Sequence, residues 1–302
     1  MQSLKEPRSK FSSSRTAMAL LTGTLNRTVV FLIVFLAFAV VVTFVGLPLV
    51  ALFAYGTLSG FLNSLSSPVL VQAIQLSLVT TLTTLLLVII FGTPVAYFNA
   101  RHSYHGKRII ETLIDLPIIL PPAVAGIALL LAFGRRGLLG QYFNILGINI
   151  AFTTTAVIIA QTFVSSPFYI RQATTSFEDV DPDYERAAHT LGASGAETFF
   201  RVTVPIALNG LVSGALMTWA RALGEFGATI IFAGNLQGIT QTMPLAIYSE
   251  LDISLDIAVY LAIILVLISF PIIITVKLLT LKEKGAVKEK ESILDHMPPP
   301  AD

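Results

Sequence analysis

From residue 28 to residue 100 the chain carries no Asp, Glu, Lys or Arg. A water-soluble fold needs charged side chains on its surface, so an uncharged run of this length belongs in a bilayer. The remainder agrees. Only 12% of the 302 residues are charged and 54% are apolar, against roughly 25% charged in an ordinary globular domain. Mean hydropathy is +0.79. A soluble enzyme is excluded, and the chain reads as an all-α, multi-pass membrane protein.

A bilayer-crossing helix needs about 20 apolar residues for ~30 Å of hydrocarbon. Such stretches recur six times, at 29–55, 69–100, 109–133, 152–176, 205–233 and 257–279. The first is far longer than the roughly 7–15-residue core of a cleaved signal peptide. The second, at ~1.5 Å per residue, exceeds the bilayer and must tilt or project. Barrel strands would alternate every second residue, and these stretches do not. With the amino terminus inside, sixteen of the nineteen Lys and Arg fall on that side, only Arg135 and Arg136 fall opposite, and Arg221 lies within a span. The positive-inside rule then puts both termini in the cytoplasm. Residues 28–281 form the six-helix domain. Residues 1–27, Ser-rich and basic, and 282–302, a Lys/Glu tract ending in Pro298, Pro299 and Pro300, read as flexible tails beside the lipid surface.

Several chemistries drop out. A net charge of +1 supplies no field for nucleic acid, and the absence of Cys removes thiolate nucleophiles and Cys-ligated metals. His102, His105, His189 and His296 show no ligand spacing, and no G-x-x-x-x-G-K-[ST] string offers a nucleotide site. The chain itself calls for no cofactor.

The long connection 178–204, followed to Pro205 at the start of the next span, carries DVDPDYERAAHTLGASGAETFFRVTVP. Asp181 is suited to an N-cap, Pro182 to the first helical position and Asp183 to the first turn. About two turns follow, ended by Gly192 in a left-handed conformation. Ser194 and Glu197 have capping-box spacing for a second short helix, and Pro205 opens the next span. Ala187 and Ala188 give the first helix a shallow face against which another protein can press.

This loop resembles that of the membrane subunits of bacterial and archaeal ABC importers, whose pattern is E-A-A-x3-G-x9-I-x-L-P. Ala187, Ala188, Gly192 and Val202-Thr203-Val204-Pro205 match its spacing, while Arg186 stands at the acidic position and Glu185 lies one place earlier. The segments IDLPIILPPAVAGIALLLAFGRRGLLG, FVSSPFYIRQA and WARALGEFGATIIFAG are similar to molybdate/tungstate permeases, and next to the sulfate/thiosulfate group. The resemblance implies a type I importer fold in which two permease subunits, here two copies of one chain, line a pathway in a prokaryotic inner membrane. It also implies two cytoplasmic ATPase subunits that hold ATP and Mg, and an extracytoplasmic binding protein that delivers the anion. Glu185, Arg186, Ala187, Ala188, Leu191, Gly192 and Ala193 would then form the ATPase-coupling helix.

Ionisable groups within spans need a reason. Asp115 precedes Pro117, Pro121 and Pro122, which kink the third span. This arrangement suits either a gate or a static bend with Asp115 as cap or ion-pair partner. Arg221 and Glu225, four apart, share a helix face, which suits either an internal ion pair that fixes helix packing or a place on the pathway where Arg221 meets the substrate. Ser165 and Ser166 offer hydroxyls to a pathway or to helix packing, and Trp219 is a packing or interfacial anchor. On the outer side, Arg135, Arg136, Glu250 and Asp252 are candidates for docking the binding protein, because rim charges steer association. A rival class, an ion-coupled secondary transporter, would need midplane carboxylates and an inverted repeat. Glu225 is the single plausible midplane carboxylate, and no repeat is evident.

Overall fold

A computed structural model describes residues 27–295. Residues 1–26 and 296–302, with most of the amino-terminal tail, His296 and the terminal prolines, lie outside it. The chain divides after Tyr55 into two units. The first contains α1 (Arg27–Tyr55), a continuous helix that is apolar on every face and includes Pro48. A helix of that kind is a membrane span.

The second unit contains α2 (Leu58–Ser64), α3 (Pro68–Arg101), α4 (Lys107–Ile119), α5 (Pro122–Phe133), α6 (Gly140–Ile145) and α7 (Thr154–Glu178). It continues with α8 (Pro182–Thr190), α9 (Gly195–Thr198), a π-helical turn (Phe199–Thr203), α10 (Val204–Leu223), α11 (Gly227–Phe232), α12 (Met243–Glu250) and α13 (Leu255–Asp295). No strand occurs among the described residues.

Helix α7 is the centre of this unit, walled by α3 and α10. That position explains its composition. Buried Gln161, Ser165 and Ser176 face protein rather than lipid, and polar residues in a bilayer are tolerated on interior faces. Hydroxyls tie the neighbours together: Thr84 donates to the Ile158 carbonyl at 3.3 Å, Thr218 to the Ser165 carbonyl at 3.4 Å, and Thr93 bonds the Tyr169 hydroxyl at 2.7 Å. Trp219 donates its indole N–H to Thr81 at 3.1 Å, which makes it a packing anchor. Glycines allow the close crossings. A Cβ on Gly214 would sit 2.9 Å from Gln172 Cβ, and one on Gly210 would strike Ser176.

Four expectations need correction. Four helices are long and apolar enough to cross a membrane, or five if a bent pair counts as one, so the count of six apolar spans is not met by composition alone. The stretch expected at 152–176 is helical as α7, but its protein-facing side chains lower its hydropathy. The expected span 109–133 is no kinked helix. It is broken into α4 and α5, which meet at 116°. A residue before proline is pushed out of the α region, and Leu120 and Pro121 both precede prolines. Both take extended ψ, 131° and 134°, so two consecutive residues leave the helix.

The expected span 205–233 begins earlier and ends sooner. The run Gly195–Leu223 is continuous, because the π-turn lets the Val204 N–H reach back to the Phe199 carbonyl and absorbs Pro205. It stops at Gly224, and α11 is a separate short helix. At the far end of the chain, the backbone of 282–295 continues α13 where a tail was expected; Lys, Glu and Ala are strong helix formers.

Candidate functional site

The connection between α7 and α10 forms a sharp elbow. The Asp181 carboxylate accepts the Asp183 N–H at 2.9 Å and caps α8, with Pro182 in its first turn. The helix ends at Gly192, whose φ of +89° lies in the left-handed region while open space surrounds its α-carbon. Glycine is needed there for backbone conformation alone. The capping box then closes in both directions: Glu197 N–H donates to Ser194 Oγ at 3.3 Å, and Ser194 N–H to Glu197 Oε2 at 3.0 Å.

The elbow presents two different faces. Outward stand Leu191, Ala187, Tyr184 and Arg186, the last paired with Asp183. Leu191 is 88% exposed, the highest value for a large apolar side chain among the described residues. Ala188 and Ala193 are half-buried. Glu185 turns the other way: its Oε1 receives Arg101 Nη2 at 2.9 Å and the Thr203 hydroxyl at 2.8 Å. The sequence reading grouped Glu185 with the outward residues, whereas the structure places it against the bundle.

The other candidates fall at separate places. Asp115 lies 3.2 Å from Arg171, at a polar cavity of about 200 Å³ that Glu111, Asn99 and Glu178 also line. Pro117 is buried, while Pro121 and Pro122 are exposed at the break. Ser165 bonds the Gln161 carbonyl of its own helix at 2.6 Å. Ser166 instead lines an apolar cavity of about 560 Å³ between α3, α5 and α7. Arg221, in the last turn of α10, pairs with Glu225 at 2.8 Å. The second carboxylate oxygen of Glu225 accepts the Ala228 N–H at 2.9 Å and so caps α11. The pair is therefore a clasp between two helices rather than a feature of one.

Arg135 and Arg136 are exposed, with Arg135 donating to Asn149 at 3.3 Å. Asp252 is exposed. Glu250 is only 6% exposed at the end of α12, so it does not stand on that rim. Packing of α12 between α3 and α13 draws it in.

Three participants escaped the sequence reading. Arg101 reads there as the charge that closes an uncharged run, and Thr203 as a loop residue. Arg171, the partner of Asp115, carried no signal beyond its sign.

The model of the family described as "binding-protein-dependent transport system inner membrane component" matches residues 89–281. The chain is 42% identical over 235 residues to the molybdenum transport system permease protein ModB of Mycobacterium tuberculosis, covering 78% of this chain and 89% of that one. It is 40% identical to the probable transport system permease protein NifC of Clostridium pasteurianum, covering 76% and 81%. Against the sulfate transport system permease protein CysW of Synechococcus elongatus it is 40% identical, over 62% of this chain and 66% of that one. Among solved structures, a bacterial ABC transporter that imports alginate aligns with TM-score 0.59 at 14% identity, covering 90% of this chain and 99% of that one. The MetNI methionine ABC transporter aligns with TM-score 0.54 at 19% identity, covering 69% and 93%. These likenesses place the fold among type I importer permeases.

Proposed function

The chain belongs to the binding-protein-dependent transport system inner membrane component family, and from that premise we propose that it passes a tetrahedral oxyanion, molybdate or tungstate, from a binding protein to the cytoplasm by alternating access. It is a transport component and not an enzyme. Two cytoplasmic ATPase subunits bind ATP and Mg, a second copy of this chain completes the pathway, and both termini lie on the elbow's side. That side gathers sixteen of the nineteen Lys and Arg.

One observation carries the reading: an elbow with closed caps at both helices holds a bare Leu191 outward. An exposed large apolar side chain on a rigid turn suits a protein groove. The pathway candidates otherwise supply hydroxyls, carboxylates and few cations. That suits a conduit, because a deep cationic cluster would hold a dianion instead of passing it. Selectivity then resides with the binding protein.

The chain has no cysteine, so Leu191→Cys introduces a single thiol. A short reagent that couples a thiol at one end to an amine at the other should join it to the ATPase subunit in membranes, while Tyr142→Cys, at an exposed position on α6 beyond the other end of α7, should not. Absence of any adduct at position 191 would overturn the docking assignment. Similarity to CysW supports a second reading, sulfate or thiosulfate as cargo. Molybdate uptake that resists a large excess of sulfate favours the first reading, and full competition favours the second.

A further inference from the structure

We propose that Arg101 is a positioning residue that fastens the elbow to two membrane helices, so that a push on Leu191 moves those helices and does not merely bend the linker; this rests on the coupling role given to the elbow above. Arg101 is the last residue of α3. Its Nη2 donates to the Val180 carbonyl at 2.9 Å and to Glu185 Oε1 at 2.9 Å, and its Nε reaches the same oxygen at 3.2 Å. Val180 precedes the N-cap of α8 and Glu185 follows it. One guanidinium therefore grips the elbow on both sides of its entry.

The third tie comes from Thr203, the last residue of the π-turn, whose hydroxyl donates to that oxygen at 2.8 Å. Three elements converge on a single carboxylate oxygen: the end of α3, the first turns of α8 and the entry to α10. The side chains of Arg101 and Glu185 are only 12% and 14% exposed, so water competes little for the contact. Beside it lies an aromatic cluster that joins α3 and the π-turn to α7. Tyr97, one turn before Arg101, meets Phe177 of α7 at 5.4 Å and Phe199 of the π-turn at 4.9 Å, both edge-on.

Charge-assisted hydrogen bonds of this fixed-fork type hold direction as well as distance. A linker alone, residues 179–181, would flex under load. The ion pair closes a triangle across it, and a triangle transmits displacement.

The test compares wild type, Arg101→Glu, Glu185→Arg and the Arg101→Glu/Glu185→Arg exchange, each assembled with its ATPase and binding protein in vesicles. ATP hydrolysed and molybdate accumulated are measured together. A merely structural defect lowers both in proportion and leaves their ratio unchanged. The inference expects each single variant to hydrolyse at least fivefold more ATP per anion than wild type, and the exchange to return within about twofold. An unchanged ratio in the single variants overturns it. If the single variants do not assemble, the exchange decides: restored assembly with a wild-type ratio supports the pairing, and failure of assembly or an uncoupled ratio overturns it. Position 191 keeps the outcomes apart. A Leu191→Cys adduct with the ATPase alongside an unchanged ratio sinks this inference alone, whereas no adduct in otherwise wild-type protein sinks the coupling role itself.

Discussion

Glu225→Ala and Glu225→Gln ask whether the buried carboxylate after α10 is a clasp or a carrier of charge. Glu225 is 1% exposed and has two partners: the Arg221 guanidinium at 2.8 Å and the Ala228 N–H at 2.9 Å. Alanine removes both contacts. Losing a hydrogen bond from a buried N–H to a charged acceptor costs about 1.5–3 kcal/mol. Breaking a fully buried ion pair adds about 3–5 kcal/mol, but the Arg221 side chain is 30% exposed and can regain water. A combined loss of about 2–4 kcal/mol follows. Glutamine retains an oxygen for Ala228 and loses only the charge, for about 1–2 kcal/mol. Denaturant unfolding of the purified protein, monitored by helical circular dichroism, should rank wild type above Gln and Gln above Ala. Uptake by Glu225→Gln should fall no more than its folded fraction. Full stability with abolished uptake would refute the clasp and favour an ion-coupled transporter, in which a carboxylate must ionise and protonate.

Other perturbations reach other parts of the account. Gly192→Val forces a β-branched residue to φ +89°, at about 1–2 kcal/mol for the left-handed conformation; the protein should insert yet lose its ATPase on purification, and normal co-purification would contradict this. Gly126→Ala places a Cβ 2.9 Å from the Ala228 carbonyl, a backbone atom that cannot step aside. The α5–α11 crossing should lose about 1–3 kcal/mol, and an unchanged unfolding midpoint would refute so tight a contact. Reversing Arg135 and Arg136 to Glu should weaken stimulation of ATP hydrolysis by the binding protein most at low ionic strength, whereas equal stimulation at every salt concentration removes them from docking.

The elbow was legible because caps are local. Asp181, Pro182, Gly192, Ser194 and Glu197 each act within four residues of themselves, and each takes the expected place. The breaks in the bundle were less legible. Leu120-Pro121-Pro122 announces that a helix is disturbed, but the 116° turn depends on α5 packing against α11 through Gly126, a contact about a hundred residues away in sequence. The end of α10 was hidden for a different reason. Residues 226–233 are as apolar as a continuing span, and the group that starts α11 is Glu225, outside the usual Ser, Thr, Asp and Asn caps. Arg101 illustrates the same limit, since a charge at the close of an apolar run reads as a membrane boundary. Its partners Val180, Glu185 and Thr203 become visible only when the elbow folds back. Glu250 shows the reverse error, an acidic residue assigned to a rim by sign and then buried by tertiary packing.

Sealed vesicles containing this chain, with radioactive molybdate outside, supply the most direct measurement. Accumulation above the external concentration should require the ATPase subunit and ATP on the elbow's side together with the loaded binding protein outside, and should vanish when any one of them is withheld. Uphill accumulation by this chain alone, driven by a proton or sodium gradient, would contradict the account.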